Sequence, residues 1–174
     1  MITYDKPRAE VIYIMDNDSI FYDKNKFDSI WKRVMDSSGS GSDSDVETLR
    51  GFLKDEYHDW QLYRIMAGRT KGEAREFFRQ AANDEHSHFH SLRTRYYILT
   101  GKTYDPGNPP AAPTASLSSI LRERYEEESA GAAAYLKAAE TTKKPDIAKM
   151  YRSYSADETH HARQILKLIN KLMD

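Results

Sequence analysis

The sequence predicts an all-α protein, a four-helix bundle built from two antiparallel hairpins joined by a long crossover. Four long segments, from about Val46 to the end of the chain, place apolar residues at three- and four-residue intervals, the period of a helix with one buried face. The breaks at Ala67 to Glu73 and at Thr141 to Asp146 are short, so the helices on either side of each form a hairpin. The middle break, "TGKTYDPGNPPAAPTA" from Thr100 to Ala115, is Pro-rich and long. About fifteen extended residues span ~50 Å, more than the ~37 Å of a ~25-residue helix, so this link can run the length of the bundle.

Each element has its own signals. The N-terminal part holds an aromatic-rich stretch, "VIYIMDNDSIFYD" from Val11 to Asp23, and then Phe27, Ile30, Trp31 and Val34 at helical spacing. These four predict a short amphipathic helix that docks on the body at an unspecified place. The Gly/Ser/Asp-rich run from Ser37 to Asp45 reads as a flexible linker. Residues 1–45 are therefore expected to be an extension with its linker, and residues 46–174 the bundle.

The first bundle helix carries Leu49, Leu53, Glu56, Trp60 and Tyr63 on one stripe, and Thr70 with Glu73 has the spacing of a capping box for the second. The second helix repeats the pattern with Phe78, Ala81, Glu85, His88, Leu92 and Leu99, and Gly101 suits its C-terminus. The third has Leu121, Tyr125, Glu128, Ala132 and Tyr135. The fourth opens on Pro145 and Asp146, and its stripe is Tyr151, Tyr154, Glu158, His161, Ile165, Leu168 and Leu172.

Composition removes several classes of function. A net charge of −1 shows no basic excess to recruit nucleic acid or an anionic membrane. No apolar run approaches a membrane span and the start lacks a signal-peptide layout, so a cytoplasmic protein is expected. With no cysteine, disulfides, thiolate zinc sites, iron–sulfur clusters and cysteine nucleophiles are all excluded. Phosphate loops, nucleophile elbows and basic aromatic stripes are also missing.

What stands out is a phrase written twice, "NDEHSH" at Asn83 to His88 and "ADETHH" at Ala156 to His161. An offset of 73 superposes Asp84 on Asp157, Glu85 on Glu158, His88 on His161 and Leu92 on Ile165, as in a duplicated hairpin. Both Glu-x-x-His pairs fall in phase with the apolar stripe, as do Glu56 and Glu128. Glu127 takes the place of Glu128 if the third helix is phased one residue differently. Four carboxylates and two imidazoles thus point into one apolar core, where unpaired burial would cost many kcal/mol. Two divalent cations remove that penalty. His58, His86, His90 and His160 are out of phase and are expected at the surface. Tyr63 and Tyr135 sit in phase, and their hydroxyls need partners when buried.

One Glu from each of two helices plus Glu-x-x-His from each of the other two is the inward ligand set of di-iron and di-manganese carboxylate bundles. From about Val46 to Asp174 the sequence resembles the ferritin-like superfamily, and "AANDEHSHFHSL" and "SADETHHARQIL" look most like its rubrerythrin branch. The resemblance implies that Glu85 and Glu158 bridge two metals, that His88 and His161 each bind one, and that Glu56 and Glu128 are terminal ligands. It further implies that Asp157 orients His88 and Asp84 orients His161. Two features depart from rubrerythrins. Their usual extra carboxylate on the third helix is replaced here by Tyr125 and by Gly131 or Ala132, which puts the family's redox-linked ligand exchange in doubt unless Glu126 or Glu127 substitutes. The rubredoxin iron site is also excluded by the lack of cysteine.

The expected function is therefore a di-iron peroxidase that reduces hydrogen peroxide, holding two iron ions, with dioxygen as the other candidate oxidant. Its electrons come from an external donor, and the resemblance implies a homodimer. Manganese in the same ligands would give a catalase-like enzyme, and iron handling would make it a ferroxidase. A scaffold bundle with an empty or structural site, acting through its N-terminal segment, is the reading from a different class.

Overall fold

The computed structural model describes residues 10–12, 20–35 and 44–173. Of the expected linker, residues 37–43 lie outside this description. Two short strands, β1 (Glu10–Ile12) and β2 (Ile20–Tyr22), pair antiparallel with Val11 opposite Phe21. Strands of three residues are too short to leave a periodic signal, and the sequence reading had none there. A short helix α1 (Lys24–Met35) follows, then four long ones: α2 (Ser44–Arg69), α3 (Gly72–Thr100), α4 (Leu117–Thr141) and α5 (Pro145–Met173). Packing of α2 on α3 and of α4 on α5 makes the two expected hairpins. Among the described residues no helix is long and apolar enough to cross a membrane.

The ends of these helices follow local chemistry. The Asp23 carboxylate caps α1, accepting from the backbone N–H groups of Asn25 at 2.7 Å and Lys26 at 3.1 Å. α3 stops at Gly101, whose φ of 68° is left-handed and whose N–H donates to the Tyr97 carbonyl at 2.8 Å. The Ser116 hydroxyl caps α4 by accepting from Ser119 N–H at 3.2 Å. Pro145 is the first residue of α5, where its missing N–H costs nothing.

The expected capping box does not form. α2 runs to Arg69, so the Thr70 hydroxyl and N–H both reach back to the Met66 carbonyl and close α2 instead. The residue capping α3 is Lys71, which offers no side-chain bond. Leu172 is a second correction: it was placed on the inward stripe but is 55% exposed. Lys171 already pairs with Glu73 at the start of α3, so Leu172 stands beyond the bundle's end. Leu99, near the other end, is half-buried.

α1 docks across α2 and α4. Its buried residues Ile30 and Val34 join one of two apolar clusters, with Leu49, Phe52, Leu53, Phe89, Leu92, Tyr135 and Tyr151. The contact with α2 is close, since a Cβ on Gly51 would lie 2.4 Å from the Val34 Cα, nearer than atoms pack. On α4, Lys137 Nζ sits over the Trp31 ring at 4.4 Å from its centre. The second apolar cluster gathers Tyr63, Met66, Phe77, Phe78, Leu121 and Ile165. In each long helix the inward carboxylate falls between these clusters: Glu56 between Leu53 and Tyr63, Glu85 between Ala81 and Leu92, Glu128 between Leu121 and Tyr135, Glu158 between Tyr154 and Ile165. Two dry layers thus sandwich one polar layer.

Candidate metal centre

Glu56, Glu85, His88, Glu128, Glu158 and His161 are all buried, each at most 6% exposed. Donor atoms of Glu56, Glu85, His88 and Glu158 lie within 4.8 Å of one another, and so do those of Glu85, Glu128, Glu158 and His161. Glu85 and Glu158 belong to both groups. His88 Nδ1 lies 3.2 Å from Glu85, 3.4 Å from Glu56 and 3.6 Å from Glu158. Across the centre, His161 Nδ1 is 3.1 Å from Glu85, 3.3 Å from Glu128 and 3.8 Å from Glu158.

Both imidazoles are oriented from behind. His88 Nε2 is 3.1 Å from Asp157 and His161 Nε2 is 3.2 Å from Asp84, so each ring turns Nδ1 inward and is held by an Asp of the opposite hairpin. Exchange of Asp84 or Asp157 for Asn is expected to weaken metal affinity about 10- to 100-fold. Competitive titration against a chromophoric chelator measures this, and an unchanged affinity removes the orienting role. Glu128 and Glu56 are held likewise: the Tyr63 hydroxyl donates to Glu128, and that of Tyr135 to Glu56.

The residues fit a pair of cations. Glu56 Oε2, Glu85 Oε1, Glu128 Oε2, Glu158 Oε1 and His161 Nδ1 are buried and make no hydrogen bond. Leaving such atoms unsatisfied costs about 1–3 kcal/mol each, more if charged. All five face one place, and oxygen with imidazole nitrogen suits iron or manganese.

Protonation describes the same tension. Burial, reinforced by neighbouring carboxylates, raises the carboxyls of Glu56 and Glu128 well above their ordinary range and pushes Glu158 up to about 7. Burial works against Glu85 too, but His161 and His88 beside it hold its carboxyl low. Burial opposes the charging of both imidazoles, yet the surrounding carboxylates raise them well above 6.5. In the metal-free protein the carboxyls of Glu56 and Glu128 and both imidazoles are disposed to hold protons, with which a bound cation would compete.

The alternative phase of α4 does not occur. Glu127 turns toward α1, paired with Lys26 Nζ at 2.5 Å and with Arg33 at 3.4 Å, while Glu128 is 1% exposed and joins the donor group of His161. Glu126 is exposed and Tyr125 half-buried, whereas Glu127 stands at the edge of the site, held by Lys26 and Arg33. Of the other histidines, His58, His90 and His160 are exposed, whereas His86 is half-buried against the Trp60 ring, 4.2 Å between centres.

Two residues escaped the sequence reading. Arg124 is buried and forms a two-pronged ion pair with Asp59 at 2.8 and 3.0 Å, lies 3.8 Å from Glu128 and stands over the Tyr63 ring. The available signal was phase, since Arg124 precedes Glu128 by four residues and Asp59 follows Glu56 by three. Arg33 of α1, joined to Asp55 and Glu127, carries no such signal.

A family model for a ferritin-like domain matches residues 41–171. No curated protein matches the chain. Among solved structures, a hypothetical protein from Pyrococcus furiosus is similar, with a TM-score of 0.64 and 22% identity over 72% of this chain and 87% of that one. At this identity the similarity is one of fold.

Proposed function

The chain belongs to the ferritin-like domain family, and from that premise we propose that it is a di-iron oxidoreductase reducing hydrogen peroxide with electrons from a separate donor. In this reading Glu85 and Glu158 are shared between two irons, Glu56 and His88 complete one set, and Glu128 and His161 complete the other. The observation that carries it is the pair of overlapping donor groups whose buried atoms lack hydrogen bonds. A scaffold has no use for five such atoms in its core.

A bound iron pair supplies the two electrons needed to split one O–O bond, and two protons complete two waters. The chain's own part is to bind, to orient and to keep the chamber dry. A cavity of about 30 Å³ touches Glu56, Glu85, Glu128 and Glu158. That space lies among the donor carboxylates and has room for little more than the cations themselves, so a substrate reaching them must be small. Gly131 helps to line it, where a side chain would take up space. Tyr63 and Tyr135 fix the carboxylates they donate to, and the apolar layers above and below exclude bulk water.

The test begins with elemental analysis of protein purified without added metal. Two irons per chain, oxidised after anaerobic reduction by one equivalent of peroxide, is the expected outcome. Two manganese ions with dioxygen evolved from peroxide would replace this reading with a catalase. Iron-loaded, reduced protein that leaves peroxide untouched would defeat it.

A further inference from the structure

We propose that α1 is the gate of the chamber, with Arg33 as the residue that sets what passes. A solute larger than a few heavy atoms, a hydrated divalent cation included, reaches the carboxylates only when α1 lifts from α2 and α4. The proposal rests on the two-metal reading above, but not on the peroxidase activity.

Two cavities meet at Arg33. The inner one, about 30 Å³, is bounded on the α1 side by Ile30 and Arg33. The outer one, about 320 Å³, opens between α1, α2, α4 and the crossover, where Pro106 and Pro110 line it. Arg33, Asp55, Asp59 and Glu127 belong to the walls of both. Arg33 spans the mouth: Nε lies 3.3 Å from Asp55 on α2, and Nη2 lies 3.4 Å from Glu127 on α4. Its side chain is 39% exposed, so the plug has one face toward solvent. Arg124, fixed to Asp59, makes the wall beside it.

A cation that keeps its hydration shell is several waters wide and does not fit 30 Å³. α1 has only 12 residues, and it is held at the mouth by the pairs of Lys26 and Arg33 with Glu127 and Asp55 and behind it by Ile30 and Val34, so it is the smallest element whose displacement would uncover the carboxylates. The ferritin-like match begins at residue 41, after α1 has ended, so the gate is an addition to the matched domain.

Gates are recognised by kinetics, since a barrier to passage alters loading and release alike and leaves the equilibrium in place. Two variants of the full chain test this with cobalt(II), which is followed by its visible absorption without turnover. Gly51→Ala adds a Cβ that would collide with the Val34 backbone, so it pushes α1 away and leaves every charge in place. Arg33→Ala removes the plug and keeps the falsifying power if the first variant fails to fold. Both are expected to speed cobalt loading and its extraction by a chelator by at least about tenfold, which corresponds to weakening α1 docking by ~1.4 kcal/mol, with Kd nearly unchanged. Parental rates in the variants would overturn the gate, and so would a faster release matched by an equal loss of affinity. If no variant and no parent binds cobalt, the two-metal reading falls and the gate falls with it.

Discussion

Exchange of Glu158 for Gln is expected to empty both metal positions and, at the same time, to make the metal-free protein more stable than its parent. Glu158 belongs to both donor groups, so its loss breaks both, whereas Glu56→Gln breaks only the group centred on His88 and should leave about one metal per chain. The gain in stability has the opposite origin. Burial and the nearby Glu85 push the Glu158 carboxyl up to about 7, so its charge is unwelcome in the metal-free core. A carboxyl held that far above its ordinary value costs stability near neutral pH, and a neutral amide of the same shape is expected to recover about 1–3 kcal/mol of it. Anaerobic metal titration gives the stoichiometry and urea unfolding the stability. Two metals bound by Glu158→Gln would contradict the shared-ligand assignment, and a metal-free variant weaker than the parent would contradict the cost assigned to the buried carboxyl.

Acidity should set how much metal stabilises the fold. Glu56, Glu128 and Glu158 bind protons more tightly in the folded metal-free protein than in the unfolded chain, so for Glu158 stability is lost as pH rises from about 4.5 through about 7. His88 and His161, also raised, contribute fully below 6.5 and lose that contribution as pH climbs through their folded values. Glu85 has the opposite sign, its contribution being lost only in acid, below the ordinary carboxylate range. Between pH 6 and 8 the metal-free protein therefore weakens with rising pH. Metal binding displaces the same protons, so its affinity strengthens over that interval. A thousandfold excess over Kd stabilises by ~4 kcal/mol per site, or about 8–16 °C in Tm for a chain of this size. Thermal scans with and without cobalt at pH 6, 7 and 8 should show the largest gain at pH 8. An equal gain throughout would mean that binding releases no protons.

Much of this was legible in the sequence because it depends on period. The stripes that bury Leu53, Phe78, Leu121 and Ile165 fix the phase of each long helix, and phase alone turns Glu56, Glu85, Glu128 and Glu158 inward. The duplicated phrase also led to the crossed pairing of Asp84 and Asp157, through the resemblance that it carries. Features that depend on approach in space were not readable. The place of α1 follows from Val34 fitting against the bare backbone at Gly51, and a lone Gly in a helical stripe does not name its neighbour. The Thr70 cap failed for a related reason: its hydroxyl had two helix ends within reach, and the spacing to Glu73 does not say which wins. Arg124 was overlooked because a basic residue within a charge run reads as solvated until Asp59 is seen opposite.

The crossed supports also bear on the symmetry of the site. His88 on α3 is braced by Asp157 on α5, His161 on α5 by Asp84 on α3, Glu128 on α4 by Tyr63 on α2, and Glu56 on α2 by Tyr135 on α4. Neither hairpin finishes its own ligands; each is the other's scaffold. The pattern has the exchange symmetry of a twofold axis, with one hairpin on each side and the crossover between Gly101 and Ser116 contributing nothing to either donor group. Among the described residues α1 has no counterpart in the other half, so it breaks that symmetry and makes the two donor groups unequal in their surroundings.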